Sequence, residues 1–308
     1  MKATPIYFAI ILLYQSCQCG NTQPNKIEIS KSIDAEAFNK KWYAGTAEVT
    51  TFNLQQARYG EVHSGTATMI FVTEDFSKTK QVKLDNPQQA GMDAVKVLKL
   101  NFARKFNTGI YPYSTFTSVF TPVNGDATIK VSNSVQEWCG HVYQQINRNK
   151  TAGFDVKEFS YFESEGDKVY MLDNAILEDE IWNMIRLNPT KLPIGNHKII
   201  PSMLSSRFGH FPLQAEDATL TLMQNISEND TTYIYTVSYK NIERVLKIFF
   251  TATFPFELQG WEEIIKDSNG KPNKTTATAT HSMQLDYWTK NKNEFRTLRK
   301  QLGLPEDF

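Results

Sequence analysis

Gly65-Thr66-Ala67-Thr68-Met69-Ile70-Phe71-Val72-Thr73 decides the fold class. Side chains along a strand alternate between faces, so Ala67, Met69 and Phe71 share one side and Thr68, Ile70 and Val72 the other. The same period of two runs outward in both directions, through 46–54, 95–102 (Leu98, Leu100 and Phe102 on one face) and 114–121 (Phe116 and Phe120 on one face). It resumes at 218–224, 232–239, 245–254 and 275–285. The more charged 78–84 reads as an edge strand. Tyr111-Pro112-Tyr113 is excluded from a central strand because Pro112 has no amide donor. Asn107-Thr108-Gly109, Asn124-Gly125-Asp126, Asn229-Asp230 and Asn269-Gly270 are turn signals.

Helical spacing is confined to three places. Asp34 caps a short helix ending near Trp42. Leu177, Ile181, Met184 and Ile185 form a stripe over 174–187, with Glu178, Asp179 and Glu180 early, Arg186 late and Pro189 as the stop. A terminal helix over 292–302 turns Phe295, Leu298 and Leu302 inward. The expected architecture is therefore mainly β or α+β: a large curved antiparallel sheet, open-barrel or sandwich-like, with one internal helix and a C-terminal helix. An N-terminal β region (34–170) and a helix-plus-β region (171–308) form one continuous domain.

Composition bounds the function. At 308 residues, 41% hydrophobic and 21% charged, the chain can bury a substantial core. Lys plus Arg equals Asp plus Glu at 33 each, and no basic run stands out, so nucleic acid is not an expected partner. Phosphate-loop, dinucleotide-binding, zinc-protease and nucleophile-elbow motifs are absent, and no cofactor is expected.

The N-terminus points to the envelope. Lys2 precedes an apolar run from Ile6 to Tyr14, too short to span a bilayer and the right length for a signal peptide. Ser16-Cys17 follows at once, resembling a bacterial lipobox with Leu13 displaced by one position. On that reading 1–16 is a signal peptide, Cys17 is acylated, and 17–33 tethers the fold to the outer membrane, facing the periplasm or the cell surface. A plain secretory signal cleaved near Gly20 is the alternative.

Chemistry-bearing residues gather in Glu137-Trp138-Cys139-Gly140-His141. Within one strand over 127–146, Glu137, Cys139 and His141 share a face. A hairpin folded about residue 150 with strand 154–165 sets Glu137 opposite Glu163, Cys139 opposite Tyr161 and His141 opposite Phe159. Facing carboxylates repel unless bridged. Glu137, Cys139, His141 and Glu163 are thus a candidate metal set, and Cys139 with His141 a candidate nucleophile–base pair. The competing reading is a half-buried strand in a register slipped by two, with Cys139 as a small hydrophobe. Tyr111, Tyr113, Trp138 and Trp261, with Trp182 and Trp288, are candidates to line a ligand site, or simply a β core. Glu262-Glu263 reads as an ordinary exposed acidic pair, and His197 and His210 as isolated polar groups.

Trp42, Arg58-Tyr59-Gly60-Glu61, Phe71-Val72-Thr73-Glu74-Asp75-Phe76, 105–113, Gln136 through His141 and Gly260-Trp261-Glu262-Glu263 carry a wider resemblance. Together they resemble a family of Bacteroidetes predicted lipoproteins of unknown function, often labelled "septum formation inhibitor Maf". The chain has no Arg-Arg pair, so the pyrophosphatase that label implies is not expected, and the family brings no active site to carry over. The leading expectation is a non-catalytic envelope lipoprotein, held to the membrane by its anchor, whose β scaffold binds a hydrophobic or extended ligand or an envelope protein. A hydrolase or redox enzyme centred on Cys139/His141, and a structural envelope component, are the alternatives.

Overall fold

A computed structural model describes residues 33–151, 153–226, 231–266 and 270–305; Cys17 and its tether lie outside them. The first eight strands are β1 (Ala47–Arg58), β2 (Glu61–Ser77), β3 (Ala94–Thr108), β4 (Tyr111–Pro122), β5 (Lys130–Glu137), β6 (Gly140–Arg148), β7 (Phe154–Ser160) and β8 (Lys168–Leu172). The rest are β9 (Ile176–Leu177), β10 (Gly195–Ile200), β11 (Glu216–Ile226), β12 (Thr231–Tyr239), β13 (Arg244–Thr251), β14 (Leu258–Lys266) and β15 (Pro272–Leu285). All fifteen join one sheet in the order β8-β7-β6-β5-β4-β3-β2-β1-β15-β14-β13-β12-β11-β10-β9. Pairing is antiparallel except for β9 with β10. The mainly-β, antiparallel expectation therefore holds, and one sheet runs through both sequence regions.

The sheet curls almost into a barrel, and its connectivity requires this. β8 and β9 are opposite edges, yet residues 173–175 alone join them. Four virtual bonds span at most about 15 Å, so the two edges must meet. The concave side takes the apolar half of the alternation. Leu54, Gly65, Phe106 and Tyr113 lie directly opposite one another across β1 to β4, as do Phe52, Ala67, Arg104 and Thr115. Gly65 is required there, because a Cβ would sit 2.3 Å from the Lys105 carbonyl and 2.7 Å from Phe106 Cβ.

Four α-helices complete the fold among the described residues. α1 (Ala35–Trp42) is capped by Asp34, whose carboxylate accepts from the Glu36 and Ala37 amides, and it buries Trp42. α2 (Ile181–Leu187) lies inside the curl. Leu177, Ile181 and Ile185 are buried as the stripe requires, and Trp182 meets Phe102 and Trp261 edge-on. Its polar residues are buried too. Asn183 Nδ2 donates to Leu98 O (3.0 Å) and Thr121 Oγ1 (2.9 Å). Arg186 grips Glu48 of β1 through two bonds of 2.6 and 2.7 Å, and Lys41 of α1 reaches the same carboxylate at 2.5 Å. Burial pushes Glu48 up, but Arg186 and Lys41 outweigh it and hold the carboxyl down to about 2. α3 (Met203–Gly209) packs at the end of the curl where β1 passes into β2, with Arg58 Nη1 donating to Phe208 O at 2.6 Å. α4 (Thr297–Gln301) lies outside the sheet, where Thr51 Oγ1 donates to Leu302 O at 2.6 Å.

Several expectations need correction. The helix expected over 174–187 is shortened at its start: Ile176 and Leu177 pair with Ile199 and Ile200 as an edge strand, and a 3-10 turn over Glu178–Glu180 leads into the α-helix at Ile181. The terminal helix is shortened likewise, to Thr297–Gln301. Lys78–Leu84 is not a strand; only Lys83 bridges Phe76. Pro112 does lie in a central strand, but β5 pairs with β4 only from Ser114, so its missing donor falls beyond the ladder. Glu263 is not exposed: it accepts from Arg244 Nε (2.6 Å) and Ser205 Oγ (2.7 Å) within the curl. The stretch over 127–146 is two strands, with consequences for the site.

Candidate functional site

Glu137-Trp138-Cys139-Gly140 is a tight hairpin turn: Glu137 pairs with Gly140 and Gln136 with His141. Residues directly opposite share a face, so Glu137 and His141 point to opposite faces. The next ladder sets Tyr143 against Phe159, two residues from the register that would oppose Glu137 to Glu163. Glu163 lies in the exposed turn after β7. The expected set of Glu137, Cys139, His141 and Glu163 is therefore not assembled, and no group of three such ligands forms among the described residues. Cys139 is exposed at the turn, its amide donating to Glu137 Oε2 at 2.7 Å. The Glu137 carboxylate pushes the thiol up, away from the thiolate a nucleophile needs.

The same turn belongs to a different arrangement. Successive hairpins β1–β2, β3–β4, β5–β6 and β7–β8 all turn at one end of the sheet. Each tip presents an exposed apolar residue: Tyr59 (62%), Ile110 (86%), Trp138 (67%) and Tyr161 (65%). Tips two strands apart are roughly 10 Å apart, so the row runs for roughly 30 Å. Tyr59 occupies a left-handed position (φ 54) in the two-residue turn with Gly60 (φ 78), where asparagine or glycine is the usual choice. Its hydroxyl lies 2.6 Å from that of Tyr113. From there the rings continue: Tyr113 to Tyr111 at 5.8 Å, and Tyr111 stacked on Trp138 at 6.3 Å. Beneath, Tyr113 lies flat on Phe106 at 4.9 Å and edge-on to Phe208 at 5.9 Å. Three of the six aromatics singled out in the sequence, Tyr111, Tyr113 and Trp138, thus form one ribbon along the rim. Trp261 is not on it; it is buried in the core against Phe52 and Phe102.

Beside the ribbon a cleft of about 470 Å³ opens between α3 and the ends of β1, β3, β14 and β15. Arg58, Phe208, Leu204 and Ile265 wall it, and Arg104, Ser205 and Glu263 line its inner part. Arg58 stacks its guanidinium over Tyr59 and Phe208 at 4.6 Å each. Below lies a buried ionic cluster. Glu178 receives both terminal nitrogens of Arg244 and the hydroxyl of Tyr239. Asp179 accepts from the Met203 amide at 3.1 Å. Burial, reinforced by neighbouring Glu178, pushes Asp179 up to about 7. Burial also pushes Glu263 up, but Arg244, Arg104 and Ser205 bring it below the usual carboxylate range.

Arg104 is the residue the sequence reading passed over. The strand was read only to Phe102, yet Arg104 continues the apolar parity of Leu98, Leu100 and Phe102, and an arginine on a core-facing stripe was the available signal. Other candidates lie elsewhere. Trp182 is in the core and Trp288 is exposed beyond β15. His210 Nδ1 donates to the Glu165 carboxylate (2.7 Å), and His197 Nε2 to the Ile194 carbonyl (3.0 Å). Glu262 pairs with Lys274.

No protein-family model and no curated protein matches the sequence. Among solved structures, the chain is similar to a β-barrel-like protein of a domain of unknown function, DUF1849, from Brucella abortus. Identity is 8%, over 78% of this chain and 98% of that one, with a TM-score of 0.46.

Proposed function

We propose that the chain is a non-catalytic binding protein of the cell envelope, and that the aromatic rim is where an extended, partly apolar ligand lies. One observation carries the reading: four consecutive hairpins each expose an apolar residue at the same end, and rings connect two of those tips. Singly exposed apolar residues are ordinary, but a contiguous row rimmed by polar groups marks an interaction site. Tyrosine and tryptophan suit such a surface, since each pairs a large apolar face with a polar edge. The interior is filled by α2, so the ligand is held at the mouth of the curl rather than inside it. The envelope location and the acyl anchor at Cys17 rest on the N-terminal sequence. Catalysis at Cys139/His141 loses its support with the turn geometry.

Trp138 is its own reporter, because its indole is two-thirds exposed. Titrating the full chain with decanol, a neutral ten-carbon amphiphile, should shift Trp138 emission to the blue and saturate. Trp138→Phe should remove the signal, and Ile110→Ser should weaken binding without unfolding, since Ile110 is fully at the surface. The reading fails if the emission of Trp138 moves with neither decanol nor its carboxylate, decanoate.

A further inference from the structure

Arg104 is 8% exposed and lies on the concave face between Ala67 and Thr115. Its guanidinium stacks on Phe102 at 4.5 Å and Trp261 at 5.1 Å. Among the described residues it has no hydrogen-bond or ion-pair partner. Its Nε is buried and unsatisfied, while its terminal nitrogens retain access to the cleft it lines. A buried arginine is normally paired with a carboxylate or phosphate, because desolvating an unpaired charge is costly. The nearby acids direct their hydrogen bonds to other groups, and Glu263 acts on Arg104 only through space. Glu178 is bound on both oxygens by Arg244, Asp179 faces the Met203 amide, and one oxygen of Glu263 takes both Arg244 and Ser205. Two further groups of the same cleft are unsatisfied: Arg58 Nε and Gln56 Oε1.

We infer that the cleft takes the carboxylate of an amphipathic organic acid, seated on Arg104, with the apolar body of that acid running out over Phe208 and the aromatic rim. This rests on the binding reading above and adds the chemical class of the ligand. A guanidinium presents parallel donors that match a planar carboxylate bidentately. Glu263 shares the cleft and opposes a dianion, which favours a singly charged carboxylate over a phosphate monoester. Arg58 adds a second cation at the mouth, its stem fixed by the rings it stacks on and by the Phe208 carbonyl. Phe208, Leu204 and Ile265 suit an acyl or aryl body, whereas a small polar anion would leave them uncovered.

The test compares three ten-carbon probes on the full chain, read by Trp138 emission and by calorimetry. Decanoate should bind at least tenfold more tightly than decanol, and decyl phosphate more weakly than decanoate. Arg104→Met, which keeps the stacked stem and removes the charge, should cut decanoate affinity at least tenfold and leave decanol affinity unchanged. Equal binding of decanoate and decanol by the wild type, a measurement needing no variant, would overturn the carboxylate inference and leave the binding rim standing. Tighter binding of decyl phosphate would overturn the carboxylate assignment. Binding of none of the three would remove the rim reading itself.

Discussion

Glu48→Gln tests what holds α2 inside the sheet. Glu48 is 2% exposed and Arg186 1%, and the pair closes through two nearly parallel bonds. Its carboxyl lies at about 2 against an ordinary 4.5. A difference of roughly 2.5 pKa units corresponds to about 3 kcal/mol of stability carried by the ionised form. The shift is downward, so this stability is present above about pH 4.5 and is lost as pH falls toward 2. Breaking a buried pair from one side gives a similar figure, about 3–5 kcal/mol, because Arg186 is left charged beneath Trp42 and Phe71. Urea unfolding at pH 7 should therefore show Glu48→Gln less stable by about 3 kcal/mol. The gap from wild type should narrow as pH falls from 4.5 to 2. Replacing both partners, Glu48→Gln with Arg186→Met, should recover most of the loss, since the one charge left without its carboxylate is Lys41, which is partly exposed and still donates to Gln284. A single variant within about 1 kcal/mol of wild type at pH 7, or a gap that does not change with pH, would refute the reasoning.

The opposite sign is expected at Asp179, pushed up to about 7 from an ordinary 3.8. The folded state then holds its proton more tightly, so this group disfavours folding increasingly as pH rises from about 4 to 7. Asp179→Asn keeps an acceptor for the Met203 amide and should raise stability at pH 8 by up to about 4 kcal/mol, with no difference near pH 4; a variant equally destabilised at both pH values would contradict this. Cys139→Ala should leave the urea midpoint and the decanol titration unchanged, and the wild-type thiol should alkylate slowly at pH 7. Loss of decanol binding in that variant would return chemistry to the turn. Cys17→Ala should release the protein from membranes to the soluble fraction, and unchanged partitioning would remove the proposed anchor.

The alternation was legible wherever one face of a strand is apolar and the other wet, as at 65–73, 95–102 and 232–239. It failed where polar residues face inward. β14 was missed because Gly260, at φ 154, and Glu263, which turns inward to Arg244, interrupt its apolar face. The turn at Trp138-Cys139 was invisible because it uses neither Asn nor Gly at its two central positions; the glycine that marks it is the first residue of β6. α2 was visible as a stripe, but its first turn was lost to strand pairing, a tertiary effect. Tyr111, Tyr113 and Trp138 could be named from composition, yet their adjacency follows from hairpin tips falling at one end, which only the strand order reveals. Arg104 was readable from parity alone, had the strand been extended by one more inward position.

The three-residue link between the edges bears on the order of assembly. Every ladder joins strands consecutive in the chain except β1 with β15. The molecule is thus two antiparallel runs, β1–β8 and β10–β15, with β9 added in parallel to β10, and the strands within each run are neighbours both in sequence and in the sheet. Joining them through β1 and β15 closes a loop of some 220 residues between Gln55 and Thr276, an entropic cost of about 5 kcal/mol if the intervening chain were disordered. The link and α2 shorten that search. α2 follows the link directly, and it bonds to Glu48 and Leu98 of the first run while Trp182 packs on Trp261 of the second. The buried helix is thus a clasp in contact with both halves, on either side of the β1–β15 ladder that joins them.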